Sequence, residues 1–163
     1  MSSTGEAIEL SETFAELGIT HVTWLPDAHT VRWEKELASS SRFSLIRVCR
    51  EGEAWAIAAG LWLGGKRPIL VIQNTGLFES GDALRNVLFE LEAPVYAVIG
   101  YRNFLVPESR DTAKRFTEPI LQGWQLDHVV LTDRDWCRQL ANHFRACQST
   151  GRPGIALLPE GRG

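Results

Sequence analysis

Three nearly unbroken apolar runs, PILVIQ, PVYAVIG and GIALLP, constrain this chain more than any other feature in it. Successive side chains of a strand point to opposite faces, so a strand with one wet face alternates apolar and polar residues. A run without that alternation is apolar on both faces and has to be covered on both. Further strand-like stretches, THVTWL, FSLIRV and DHVVL, are separated from these by segments of helical period. The pattern predicts an α/β fold, a six-stranded, mostly parallel sheet inside a three-layer α/β/α sandwich. A first helix is expected from Thr4 to Leu17, with Ile8, Leu10, Phe14 and Leu17 facing inward and Gly18 as its stop. A second runs through Val31 and Trp33 to Leu37, and a third begins at Glu51 and ends near Gly64 and Gly65. The stretch DALRNVLFELEA makes a fourth, and Asp133 caps a last one through Trp136, Leu140 and Phe144. The segment YRNFLVPESRDTAKRFTEPILQGW breaks the rhythm for longest and is expected to hold a helix within a functional loop.

A length of 163 residues suffices for one hydrophobic core and falls short of two, so residues 1–163 are expected to form a single domain. The formal net charge of -3 offers no basic footprint for a phosphate backbone, which argues against a nucleic-acid partner. The N-terminal stretch MSSTGEAIELSETF lacks a charged-then-apolar leader, and no apolar run reaches the roughly 18 to 20 residues of a membrane span. A cytoplasmic protein is the expectation. Cys49, Cys137 and Cys147 are odd in number and lack CxxC or Cys/His ligand spacing, so they read as buried small hydrophobes, with no metal site.

Right-handed crossovers bring the carboxyl ends of parallel strands, and the residues just after them, to one crevice. The informative positions are therefore Pro26 and Asp27, Arg50 and Glu51, Gln73 to Gly76, and Tyr101 to Asn103. Glu51 stands at the mouth of the small-residue helix EGEAWAIAAG, where Ala54, Ala56, Ala58, Ala59 and Gly60 leave room for a flat ring to approach. The same carboxylate also suits the positive end of a helix dipole. Asp27 after Pro26 reads as a helix cap at the end of the first strand. Gln73 and Asn74 offer neutral donors for a carboxylate or carbonyl, with Gly76 permitting a close turn. Arg102 has the planar fork that binds oxyanions, or is a surface arginine of a loop. Glu53 points away from Glu51 on a helix and reads as solvated or subunit-facing. His29 reads as an exposed helix-terminus residue, and His21, His128 and His143 lack a partner nearby in sequence.

The stretch CREGEAWAIAAGLWLGGKRPILVIQNTGL resembles the pyrimidine-binding domain of thiamine-diphosphate enzymes, in which a glutamate leads an Ala-rich helix with a glycine nine positions on; here these are Glu51 and Gly60. The QNTGL string, the LPDA turn and the YR dipeptide resemble sulfopyruvate decarboxylase alpha subunits and the N-terminal half of phosphonopyruvate decarboxylases. The resemblance implies that the Glu51 carboxyl hydrogen-bonds a ring nitrogen of the cofactor's aminopyrimidine and promotes the imino tautomer, whose imino group serves as base. It further implies Glu51 and Asp27 as catalytic residues, and Glu51, Gln73, Asn74 and Gly76 as cofactor-binding. Asp27, Asn74 and Arg102 then meet the substrate, with Arg102 on its anionic tail. The activity implied is decarboxylation of a sulfopyruvate- or phosphonopyruvate-like 2-oxo acid to an aldehyde and carbon dioxide. A carboligase of the acetolactate type and a non-catalytic regulatory or assembly subunit are the alternatives.

Such a site also needs magnesium on the diphosphate, held in these enzymes by a Gly-Asp-Gly motif and a later pair of asparagines. This chain has neither, and its SGDALRN lacks the second glycine and reads as helix. The expected partner is therefore a beta subunit carrying the diphosphate and magnesium half, in an assembly with at least two copies of each chain. Where the resembling enzymes have Gly-Leu-Gly-Asn, this sequence has Gly76, Leu77, Phe78 and Glu79, and Glu79 would repel a second anion if it faced the site.

Overall fold

The computed structural model describes residues 3–161. All six strands lie in one parallel sheet of order β2-β1-β3-β4-β6-β5. They are β1 (His21–Trp24), β2 (Ser44–Arg47), β3 (Pro68–Gln73), β4 (Tyr96–Tyr101), β5 (His128–Val130) and β6 (Gly154–Pro159). Helices cover both faces: α1 (Ser3–Glu16), α2 (Glu34–Ser39) and α7 (Trp136–Ser149) on one, α3 (Glu51–Leu63), α4 (Asn74–Glu79), α5 (Gly81–Arg85) and α6 (Thr112–Gly123) on the other.

The apolar runs behave as their lack of alternation demands. Ile69 and Val71 enter the core under α1 and α7, while Leu70 and Ile72 of the same strand enter the core under α3 to α6. Tyr96 and Val98 against Ala97 and Ile99, and Ala156 and Leu158 against Ile155 and Leu157, repeat the division. Trp24, Trp33 and Trp55 are fully buried, and truncating any of them to alanine costs about 3 to 5 kcal/mol.

Several local expectations are corrected. Ile8 faces outward at 43% exposure, and Ala7 and Ser11 take its place beside Leu10 and Phe14. The segment after Asp27 is a 3-10 turn (Thr30–Trp33) running into α2, so the chain enters the helix one tighter turn late. The fourth predicted helix is α5 followed by a π turn over Asn86–Glu90. Asp135, not Asp133, caps α7, accepting from the Arg138 amide at 3.1 Å. Cys49 is exposed, and only Cys137 and Cys147 are buried. Gly18 and Gly65, with φ of +70° and +74°, end α1 and α3 as left-handed stops.

The chain runs from β1 outward to β2, then returns past β1 to β3. The direction of winding therefore reverses between β1 and β3, and a crevice opens outside their carboxyl ends.

Candidate active site

Arg50, in extended conformation, delivers Glu51 to the first position of α3. The Glu51 side chain lies across Gly76: a Cβ built there would come within 3.0 Å of its Cγ, Cδ and Oε1. The sequence reading of Gly76 as a turn residue is thus corrected. Residues 74–79 are helical, and the glycine serves the approach of a neighbouring side chain rather than a backbone torsion. Glu51 is half-buried, and among the described residues nothing hydrogen-bonds its carboxylate. Glu79, at the end of α4, accepts from the Arg50 guanidinium at 2.9 Å and from the Gly52 amide at 3.0 Å. Its carboxyl is held below the usual range first by the Arg50 hydrogen bond and then by that amide, so Arg50 answers its charge. Glu53, also at this helix start, accepts from the Cys49 amide at 3.1 Å.

Asp27, after β1, has two oxygens in different employment. Oδ1 accepts from the amides of His29 (2.7 Å) and Thr30 (2.6 Å) and from the Thr30 hydroxyl (3.0 Å), tying down the turn. Oδ2 is buried without a hydrogen-bond partner. It shares its surroundings with Glu160, which directly follows β6, is 3% exposed and also has an unpartnered buried oxygen, Oε1. Both oxygens crowd the face of Gly100, where an added Cβ would overlap them. Burial, and then the Asp27 charge, push the Glu160 carboxyl up to about 8, against the opposing pull of a Gln73 hydrogen bond and of Arg32. Glu160 was missed by sequence reasoning, although the rule that picked out the other residues, a polar side chain just past an apolar strand, points to it as well.

Gln73 closes β3 half-buried, its Oε1 accepting from the Thr75 hydroxyl at 3.1 Å, and its side chain joins the Asp27–Glu160 group. Asn74 turns into the helical layer instead. It is fully buried, donates from Nδ2 to the Thr117 hydroxyl of α6 at 3.0 Å, and leaves Oδ1 unpartnered. Arg102, after β4, donates from Nε to Asp111 Oδ2 at 2.8 Å. The Asp111 carboxyl is lowered to about 2, first by that bond, then by Asn103 and the Ala113 amide. His29 contacts Arg32 and lines a cleft of about 420 Å³ with Trp33, Trp136 and Leu158, beside the Asp27 turn. Its pKa is lowered, first by burial and then by Arg32. The structure thus brings Glu51 to Gly76, and Asp27 to Gln73 and Glu160, while Asn74 and Arg102 are anchored to α6 and its cap.

No family model matches the chain. It is 28% identical over 165 residues, 95% of its length, to a phosphonopyruvate decarboxylase of Streptomyces viridochromogenes, of which it covers 40%. It is 30% identical over 88 residues, 54% of its length, to sulfopyruvate decarboxylase subunit alpha of Methanococcus maripaludis, of which it covers 53%. The chain therefore spans between about two fifths and about half the length of these curated relatives. Its fold matches part of the crystal structure of benzoylformate decarboxylase from Polynucleobacter necessarius with a TM-score of 0.72 at 14% identity, over 94% of this chain and 29% of that one. By sequence this chain is related to phosphonopyruvate and sulfopyruvate decarboxylases, and the fold agrees with the pyrimidine-binding-domain resemblance carried by its motifs.

Proposed function

We propose that this chain is a single pyrimidine-binding domain, the alpha half of a thiamine-diphosphate-dependent 2-oxo acid decarboxylase. The observation that carries the reading is the Glu51 carboxylate, unpartnered at the mouth of α3 and seated where Gly76 withholds a side chain. That arrangement fits an aminopyrimidine, whose ring nitrogen a carboxyl can hydrogen-bond while the ring lies against a surface without bulk. The diphosphate half has no such counterpart. Among the described residues the one group with metal-ligand spacing, Asp127, His143 and Cys147, gathers at the opposite, amino-terminal ends of β4 to β6. Magnesium and diphosphate ligands are accordingly assigned to a partner beta subunit.

Bound between the two, thiamine diphosphate supplies the electron sink for loss of carbon dioxide from the substrate. Glu51 orients the ring and holds a proton at its nitrogen. Arg102, fixed through Nε by Asp111, presents a cation near the carboxyl end of β4 for the anionic tail of a sulfonate or phosphonate acid. Asp27 stands in the turn after β1, beside the β1/β3 reversal. The helix α3 also supports a partner: after Glu53 it is apolar all round, yet Ala56, Gly60 and Leu63 are exposed and Ile57, Leu61 and Trp62 half-exposed. An apolar helix face left uncovered beside the site needs another surface over it.

The test is to assemble the chain with a subunit carrying the Gly-Asp-Gly motif, supply thiamine diphosphate and magnesium, and follow carbon dioxide release from sulfopyruvate and phosphonopyruvate. Release that depends on both chains and is abolished by Glu51→Gln is the expected result. Full activity of the Glu51→Gln complex overturns the assignment, and a hydroxyketone product in place of an aldehyde reassigns it to carboligation.

A further inference from the structure

We propose that Asp27 and Glu160 work as one acid with a single shared proton, Glu160 being the positioning residue that keeps Asp27 charged with it. Two strand ends that are not neighbours in the sheet, those of β1 and β6, place these carboxyls over Gly100 of β4, one of the two strands that lie between them. The facing oxygens, Asp27 Oδ2 and Glu160 Oε1, are both shut away from solvent and have no donor among the described residues. Two buried carboxylates so placed cannot both ionise, whereas one proton between them satisfies both orphaned atoms. Gly100 makes the pairing possible, since any side chain there would occupy the space of the two oxygens. A merely structural pair needs none of this, because Asp27 Oδ1 already ties the turn on its own.

The role in turnover rests on the decarboxylase reading above. When the carbon–carbon bond to the carboxylate breaks, carbon dioxide departs and its bonding electron pair stays on the former carbonyl carbon, which must gain one proton before the aldehyde leaves. Each turnover thus takes up one proton. Glu160 passes its proton to Asp27, Asp27 protonates that carbon, and the pair recovers one proton from solvent. The charged and titratable groups facing the pair are Arg32 from the 3-10 turn, His29 just before it, and Arg102 just after β4. His29, its pKa lowered by burial and Arg32, stays neutral near and above neutral pH, which leaves Glu160 as the group that titrates there.

Two measurements test this. Infrared titration of the chain by itself is expected to show a protonated carboxyl band at neutral pH that disappears near pH 8, is absent in Glu160→Gln, and is shifted to lower pH in Asp27→Asn. Gly100→Ala, which drives the oxygens apart, is expected to change the same band. A wild-type spectrum without the band, or a band unchanged in Glu160→Gln, overturns the shared proton. In the assembled enzyme Glu160→Gln is expected to lower kcat about a hundredfold with little change in KM, and to remove the alkaline fall of kcat. Unchanged kcat and pH profile overturn the positioning role in turnover even if the band is present. Should the wild-type assembly release no carbon dioxide from any 2-oxo acid, the decarboxylase reading fails and this role with it, and the infrared result alone decides whether the proton is shared.

Discussion

Two glycines, Gly76 and Gly100, define the chemistry at the scale of single residues, each by what it leaves out. Gly76 lies within a helix, where alanine is the better former by about 1 kcal/mol. The atoms nearest an added Cβ are Cγ, Cδ and Oε1 of Glu51, so the Glu51 side chain is what must move to admit it. Gly76→Ala is therefore expected to leave the melting temperature unchanged or raise it, while turnover of the assembled enzyme falls about a hundredfold because the displaced carboxylate misses the ring. Parallel thermal melts and steady-state kinetics check this, and full turnover would show that the seat is dispensable. Glu160 gives a prediction of opposite kind. Its carboxyl titrates near 4.5 in the unfolded chain and at about 8 in the fold. Between those values the native state holds a proton that the unfolded chain has released, so stability falls as pH rises through the window and levels off above it. Glu160→Gln is expected to match wild type below about pH 4.5 and to exceed it above about pH 8, read from denaturant midpoints across that range.

Single side chains also fasten the elements that carry the site. Asp111 caps α6 through the Ala113 amide and grips Arg102 and Asn103, joining the helix start to the loop after β4. Its carboxyl is lowered from 3.8 to about 2, so the stabilisation is present above the ordinary value and is lost as pH falls through the lowered one. Asp111→Ala is expected to cost about 2 kcal/mol at neutral pH and to free Arg102, raising KM for an anionic substrate more than it lowers kcat. On the other side of the site, the Trp55 indole of α3 donates to Ser80 Oγ at 3.0 Å, and that hydroxyl donates to the Gly76 carbonyl at 2.7 Å. This link fixes α3 against α4, and with it Glu51 against Gly76. Ser80→Ala leaves a buried indole N–H unpaired and is expected to cost about 1 to 3 kcal/mol in a thermal or urea melt.

For the whole molecule the prediction rests on the exposed apolar residues of α3. The chain spans only part of the length of its curated relatives, and one of these is itself an alpha subunit. Leu63 is 65% exposed on this face of α3, and Leu63→Lys replaces it with a charge that solvent can reach. The variant is expected to melt like wild type but to fail in assembly with a diphosphate-binding partner, as read by analytical ultracentrifugation. Assembly at wild-type affinity would place the interface elsewhere.

Sequence by itself determined the layers and one half of the site. Apolar runs without alternation can only be strands covered twice, and helix starts just after strands put Asp27, Glu51, Gln73 and Arg102 at strand ends, because these are properties of neighbouring residues. What sequence could not decide was which strand ends meet. Glu160 and Asp27 lie at opposite ends of the chain and become partners only through the strand order, with Gly100 between them. The same holds for Gly76, whose sequence context reads as a turn and whose use is to admit Glu51 from another helix. It holds too for Asn74, which α6 draws inward through Thr117. Local pattern fixes the direction of the chain and the burial of its segments, whereas the meeting of two carboxyls depends on the packing of segments distant in sequence.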